Sequence, residues 1–374
     1  MLRTIHRWLG LALGLLLLIT FGSGMLTAVG ELTSRPQQPR FDYSEPTLLE
    51  MAEALELISS KHQDIRQVTM PNKTTAYYQV RLDQQRVNYS VDDLVPVEQQ
   101  EPPLVAFFQT ILQLHRNFLL GKNGFLGIHG ADYVAWVSLL MLLISVIGLW
   151  LWWPLRSTFK LKKLAPTSLK RHALYYSHLN SGVVISIALI LLSLTGASIT
   201  YRAITEKILG ADEHKINILD QPIELADSWH SWLSAIAVAM PNATLARIQF
   251  PRQKHRSGPS VNSKNVNIKG KVKATLTFRL VSQDDWLGLP NTKIQIEMES
   301  STILSRTTFK DLPMGAKIIA VLVPLHTGRG LPRIYVAVLL LISALGVLMV
   351  VSGIASFLKK KVRKSTKKTA PARL

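Results

Sequence analysis

Four of the ten histidines in this chain of 374 residues stand in related contexts. His6 lies in IHRWLG and His178 in SHLNSG, each four residues before a glycine and at the entrance to a long apolar run. His115 lies in LHRN and His326 in LHTG, each ahead of another such run. Imidazole titrates near neutrality and is the commonest metal ligand. The chain has no cysteine, which excludes thiolate zinc sites, cysteine-ligated iron–sulfur clusters, disulfides and haem attached through CxxCH. Any metal centre must use histidine, carboxylate, methionine or tyrosine. No GxSxG, HExxH, GxxxxGK(S/T) or GxGxxG motif points to hydrolysis or nucleotide binding. Ser177 in SHLNSG reads as a helix cap, not a nucleophile.

The elements that must position these histidines are membrane-length. Apolar residues make up 48% of the sequence and segregate into four runs without internal charge: Trp8–Val29, Tyr133–Trp153, Val183–Tyr201 and Ile334–Leu358. About 20 residues span the hydrocarbon core of a bilayer. The first run is longer than a signal-peptide core and reads as an uncleaved anchor. The net charge of +19 clusters beside the runs. Arg3 and Arg7, the connection with Arg156, Lys160, Lys162, Lys163, Lys170 and Arg171, and the tail KKKVRKSTKK all fall on one side of a four-span topology. The positive-inside rule makes that side cytoplasmic, and the charge then meets membrane lipid, not nucleic acid.

The expected order is span 1 (1–30), an extracytoplasmic segment with an interfacial helix (31–131), span 2 (132–154), a basic cytoplasmic loop (155–177), span 3 (178–201), a second extracytoplasmic segment (202–332), span 4 (333–358) and a basic tail (359–374). In a bacterium this places the long segments in the periplasm and the spans in the inner membrane. TLLEMAEALELISSKH and IELADSWHSWLSAIAVAMP read as amphipathic helices, each followed by strand-like stretches, so each segment is a small α+β domain. Residues 254–271 read as a polar loop or hairpin. The two halves resemble one another, as span, domain, span. A parallel repeat implies a pseudo-twofold axis along the membrane normal.

That axis sets His6 against His178 at one face and His115 against His326 at the other, roughly 20–30 Å away by helix rise. His129, in GIHGAD, rivals His115. Two imidazoles facing each other without cysteine suit the axial positions of haem iron, and a four-helix packing leaves a slot for the porphyrin. Zinc or copper fits less well, since structural zinc wants four ligands. Gly10, Gly182 and Gly330 are read as flat walls for the macrocycle, and Arg7, Arg116 and Arg329 as propionate partners. His62, His214, His230 and His255 read as ordinary domain residues, and His172 as a headgroup contact.

IHRWLGL, LHRNFLLG, SVIGLWLWWP, HLNSGV, LTGASITY, LHTGRG and VSGIASFLKKK together resemble the PepSY-associated transmembrane family, which includes FoxB-type inner-membrane siderophore-iron reductases. The resemblance implies a PepSY-like domain in each half, b-type haem (two per chain) held by His6, His178, His115 and His326, and electron delivery to a ferric siderophore. It leaves open whether a quinol or a cytoplasmic reductant is the donor. Trp229, Trp232, Trp286, Lys254, His255 and Arg256 are weak candidates for the siderophore surface, and the tryptophans read more readily as domain core. A non-redox membrane anchor or regulator, and a transporter of haem, iron or siderophore, are the alternatives.

Overall fold

Charge-free apolar runs satisfy their backbone polar groups internally only as helices when no water is at hand. In the computed structural model each of the four runs is a helix. The structure describes residues 1–34, 46–72, 75, 77–83, 85–97, 103–121, 124–211, 218–251, 267–268, 271–272 and 274–368. The chain divides into two compact units. One comprises residues 1–35, 101–205 and 321–374, the other 36–100 and 206–320.

The first unit is a helical bundle. Helix α1 (Leu2–Ala12) ends at Leu13, and α2 (Gly14–Ser34) continues as the first span. Helices α5 (Gly130–Trp152), α6 (Arg171–Thr200) and α10 (Arg333–Lys368) are the other three spans. Helix α5 runs along α6, and α10 packs on both α2 and α6. A core of Leu17, Phe21, Val137, Met141, Ile185, Leu189 and Val350 binds them. Helix α4 (Pro103–Asn117) packs on α2, so the expected interfacial helix belongs to the bundle. Helices α7 (Arg202–Ile208) and α9 (Met314–Thr327) each run from one unit into the other.

The third span starts well before Val183. Residues 171–182 are already helical, which places His178 and Ser177 inside α6. Ser177 therefore caps nothing. Its hydroxyl, fully buried, donates to the Leu164 carbonyl at 2.6 Å, while the Asn180 side chain accepts from the Lys160 amide at 2.8 Å. These two residues of SHLNSG tie the basic connection to the helix.

The second unit is sheet and helix. Helix α3 (Leu48–Lys61) opens with a capping box in which Thr47 and Glu50 satisfy each other's backbone amides. Its strands are β1 (Gln67–Thr69), β2 (Tyr77–Arg81), β3 (Arg86–Ser90) and β4 (Pro96–Val97). From the later segment come β5 (Ile218–Glu224), α8 (Trp229–Ala239), β6 (Thr244–Gln249), the small hairpin β7 (Asn267–Ile268) with β8 (Lys271–Val272), β9 (Thr275–Val281), β10 (Thr292–Glu297) and β11 (Thr302–Thr307). The two segments, expected as separate α+β domains, share one antiparallel nine-stranded sheet in the order β4-β3-β2-β1-β6-β9-β10-β11-β5. The seam is β1 against β6, with Val68 opposite Ile248, both fully buried. Strand alternation explains the merger. Val68, Ile248, Phe278 and Ile294 point to one face, where α3 and α8 pack against each other over a common core.

Candidate functional site: two facing histidine pairs

The bundle brings the four histidines together in two pairs. His6 and His178 have ring centres 6.2 Å apart, with planes crossed at 68°. His115 and His326 have ring centres 6.3 Å apart, with planes at 39°. The first pair lies at the end of the bundle that carries both chain termini and is called terminus-side here. The second, at the opposite end, is the loop-side pair. His178 and the loop-side contact point Gly196 are separated along α6 by about 27 Å of helix rise.

Each ring occupies the place of a missing side chain. A Cβ added at Gly148 would lie 3.0 Å from His6 Cε1, and one at Gly353 would lie 2.7 Å from His178 Nδ1. At the other end a Cβ at Gly24 would lie 3.2 Å from His115 Cε1, and one at Gly196 would lie 3.0 Å from His326 Cε1. His178 Nδ1 donates to the Met349 carbonyl at 2.8 Å. His115 Nδ1 faces the Thr20 carbonyl at 3.2 Å and the Ser23 hydroxyl at 3.1 Å. His326 Nδ1 faces the Thr195 hydroxyl at 2.9 Å, with the Leu192 carbonyl as a further acceptor. His6 has the Ile144 carbonyl as its backbone partner, yet its buried Nδ1 makes no hydrogen bond of normal geometry. This ring is the least firmly held of the four.

A carbonyl oxygen can only accept, so Nδ1 of His178 and His115 carries the proton and Nε2 keeps its lone pair. Ser23 and Thr195 donate their own protons to the Ile19 and Leu191 carbonyls, which leaves their oxygens to accept from Nδ1. No Nε2 of the four makes a hydrogen bond among the described residues. The result is two pairs of rings with bare Nε2 atoms, three of the four rings oriented by a second partner as metal-binding imidazoles are.

The spacing fits one ion per pair. With a metal–nitrogen bond of about 2.0 Å and a ring nitrogen roughly 1.1 Å from its ring centre, two imidazoles on opposite sides of one ion stand about 6.2 Å apart. No group of three or more histidine or acidic side chains poised for a metal occurs among the described residues, which disfavours a four-ligand zinc site. A planar macrocycle that supplies the remaining ligands suits the donor set.

The terminus-side pair opens on a cavity of about 630 Å³. Gly10 and Gly182 line it, as do Arg3, Arg7 and Arg171. Arg7 also stacks on Trp8, with its guanidinium carbon 5.6 Å from the ring centre. Sequence reasoning missed Arg3 and Arg171. The available signal was helical spacing: Arg3 is three residues before His6 and Arg171 seven before His178, both same-face offsets. Arg116 is a neighbour of His115 in the last turn of α4, close enough to act on it electrostatically. Arg329 is mostly exposed and pairs with Glu31 at 3.8 Å, so an acid already holds it. Gly330 is an exposed turn glycine with positive φ.

His129 sits exposed at the N-cap of α5, and His115 is the residue that meets His326. His62 bonds the Tyr89 hydroxyl at 2.7 Å. Burial raises the Tyr89 phenol above its ordinary pKa. His172 and His230 are exposed. Trp229 and Trp232 are core residues of α8, edge-on at 5.1 Å, while Trp286 is half-buried. His214, Lys254, His255 and Arg256 lie outside the described residues.

A bundle of four membrane-length helices that faces imidazoles in pairs defines a class, the multi-span membrane proteins with a paired-histidine interior. Within it, residues 3–360 match the model of the PepSY-associated TM region, and the chain belongs to that family. No curated protein shows significant similarity to it.

Proposed function

We propose that this chain is a haem-containing reductase of the bacterial inner membrane that delivers electrons to a ferric siderophore in the periplasm and releases Fe(II). The observation that carries the reading is the recurrence of one ring spacing, 6.2 and 6.3 Å, at both ends of the bundle. The two halves are read as a duplicated two-span unit, and the sheet-and-helix segments as PepSY-like. The excess of Lys and Arg beside the termini and in the 155–177 connection sets the orientation, with both termini cytoplasmic.

The chain's own residues do the holding. His6 and His178 would take one haem b, and His115 and His326 a second. Bound haem supplies one-electron chemistry, and the axial ligands, burial and second partners set its potential. Arg3, Arg7 and Arg171 provide positive charge for the propionates at the terminus-side cavity. Gly10 and Gly182 keep its wall free of side chains. Apolar faces of α2, α5, α6 and α10 exclude water between the two levels. The overall reaction adds one electron, from a quinol or a cytoplasmic reductant, to Fe(III) in the chelate. Siderophores bind Fe(II) far more weakly, so the metal is freed.

Purified protein should carry two haems per chain by pyridine haemochrome with protein quantitation. Anaerobically reduced protein should be reoxidised by a ferric hydroxamate or ferric citrate faster than by buffer. Colourless protein from haem-replete cells would refute the reading and leave a membrane anchor. Haem without faster reoxidation would point to transport.

A further inference from the structure

The glycines that touch the histidines share one rule. Gly24 and Gly353 each stand four residues after the carbonyl that bonds the seated ring, Thr20 and Met349, and Gly148 and Gly196 stand against His6 and His326 in the same way. A helical Cβ leans toward the N-terminus, over the turn that precedes it. A side chain at any of these positions would cover the carbonyl one turn back. Glycine uncovers it, and the carbonyl then accepts a second hydrogen bond beside its helical one. Glycine is a poorer helix former than alanine, and the bundle carries that penalty at all four of these places.

We infer that Gly24, Gly148, Gly196 and Gly353 are positioning residues, each clearing the seat of one histidine ring, and that Gly24 and Gly353 also expose the backbone carbonyl that fixes the tautomer and ring angle of His115 and His178. The inference rests on the proposed haem-binding function and adds to it the means by which each ring is held. Two features distinguish the ends. Ser23 and Thr195, one residue before the loop-side glycines, supply second acceptors for Nδ1. At the terminus-side pair Ser352, one residue before Gly353, instead donates to the Met349 carbonyl at 3.0 Å, competing with His178 for it. The two pairs also differ in ring crossing, 68° against 39°. Crossed axial imidazoles give a more anisotropic low-spin ferric signal, so electron paramagnetic resonance separates the two sites.

The test is a series of full-length variants measured for haem content and resonance signal. Gly353→Ala, with the closest approach at 2.7 Å, should lower haem from two per chain to one and remove the more anisotropic signal. The unchanged second signal then reports that the protein has folded. Gly24→Ala, at 3.2 Å, should keep both haems and shift only the loop-side signal. Gly22→Ala, in the same helix with nothing within 4 Å, should change neither. Two haems with wild-type signals in Gly353→Ala would overturn the inference while leaving the haem protein intact. If Gly353→Ala yields no folded protein, Gly24→Ala decides: a shifted loop-side signal supports the inference, and an unshifted one overturns it. Haem-free wild-type protein would overturn the proposed function and this inference together.

Discussion

The two histidine pairs share a spacing and differ in their supports. Of the terminus-side pair, His178 belongs to a span itself, and among the described residues its Nδ1 partner is a backbone carbonyl. Beside that pair lies a roomy cavity with three arginines. Both loop-side histidines sit in the last turns of α4 and α9, helices that precede a span in sequence and are not spans themselves. There two hydroxyls face the rings, and of the expected cations Arg116 adjoins His115 while Arg329 is engaged by Glu31. One spacing can thus be built with different degrees of electrostatic and hydrogen-bond support. The difference sets three arginines at one end and hydroxyl acceptors at the other.

Removing one ligand tests that contrast most severely. His326→Ala should cut haem from two to one per chain and spare the terminus-side signal, and His178→Ala should do the reverse. Loss of neither haem in either variant would break the pairing. A smaller effect is expected from Arg171→Gln. A hydrogen bond to a charged group contributes about 1.5–3 kcal/mol, so haem affinity at the terminus-side pair should fall roughly tenfold or more, with the loop-side pair unaffected. Equal weakening at both pairs would erase the distinction between them. The smallest effect is expected from Ser23→Ala combined with Thr195→Val. Each net hydrogen bond contributes about 1 kcal/mol. Haem content should hold, while loss of acceptors makes the loop-side imidazoles poorer donors and raises that midpoint potential in a redox titration. A fall, or a change confined to the terminus-side haem, would contradict the tuning role.

Sequence alone made the membrane part of this architecture readable because length and lack of charge are local properties. The four spans and the partnership of His6 with His178 and His115 with His326 follow from repeated local motifs. The choice of His115 over His129 did not, since both precede α5 and only packing separates them. Nor did the glycine seats. Attention falls on Gly10 and Gly182 because they follow histidines in sequence, and they line the cavity. The glycines that touch the rings lie on other helices, in FGSGM, SVIGLW, LTGAS and VSGIAS. Contacts between helices leave no mark on local spacing. Arg7 adjoins His6 in sequence and lines the cavity, and Arg3 and Arg171, at same-face offsets from His6 and His178, join it there. The merged sheet was likewise hidden, because the pairing of β1 with β6 joins residues on either side of two spans.

That seam has a consequence for how the chain is made. Gln67–Thr69 leaves the ribosome about 175 residues ahead of Thr244–Gln249, its partner. At 5–20 residues per second this is roughly ten to forty seconds. Throughout that interval the early strand has an unsatisfied flank, the kind of template on which chains stick to one another. Newborn copies therefore pass through a vulnerable half-built stage, and its length is set by the time needed to thread the second and third spans.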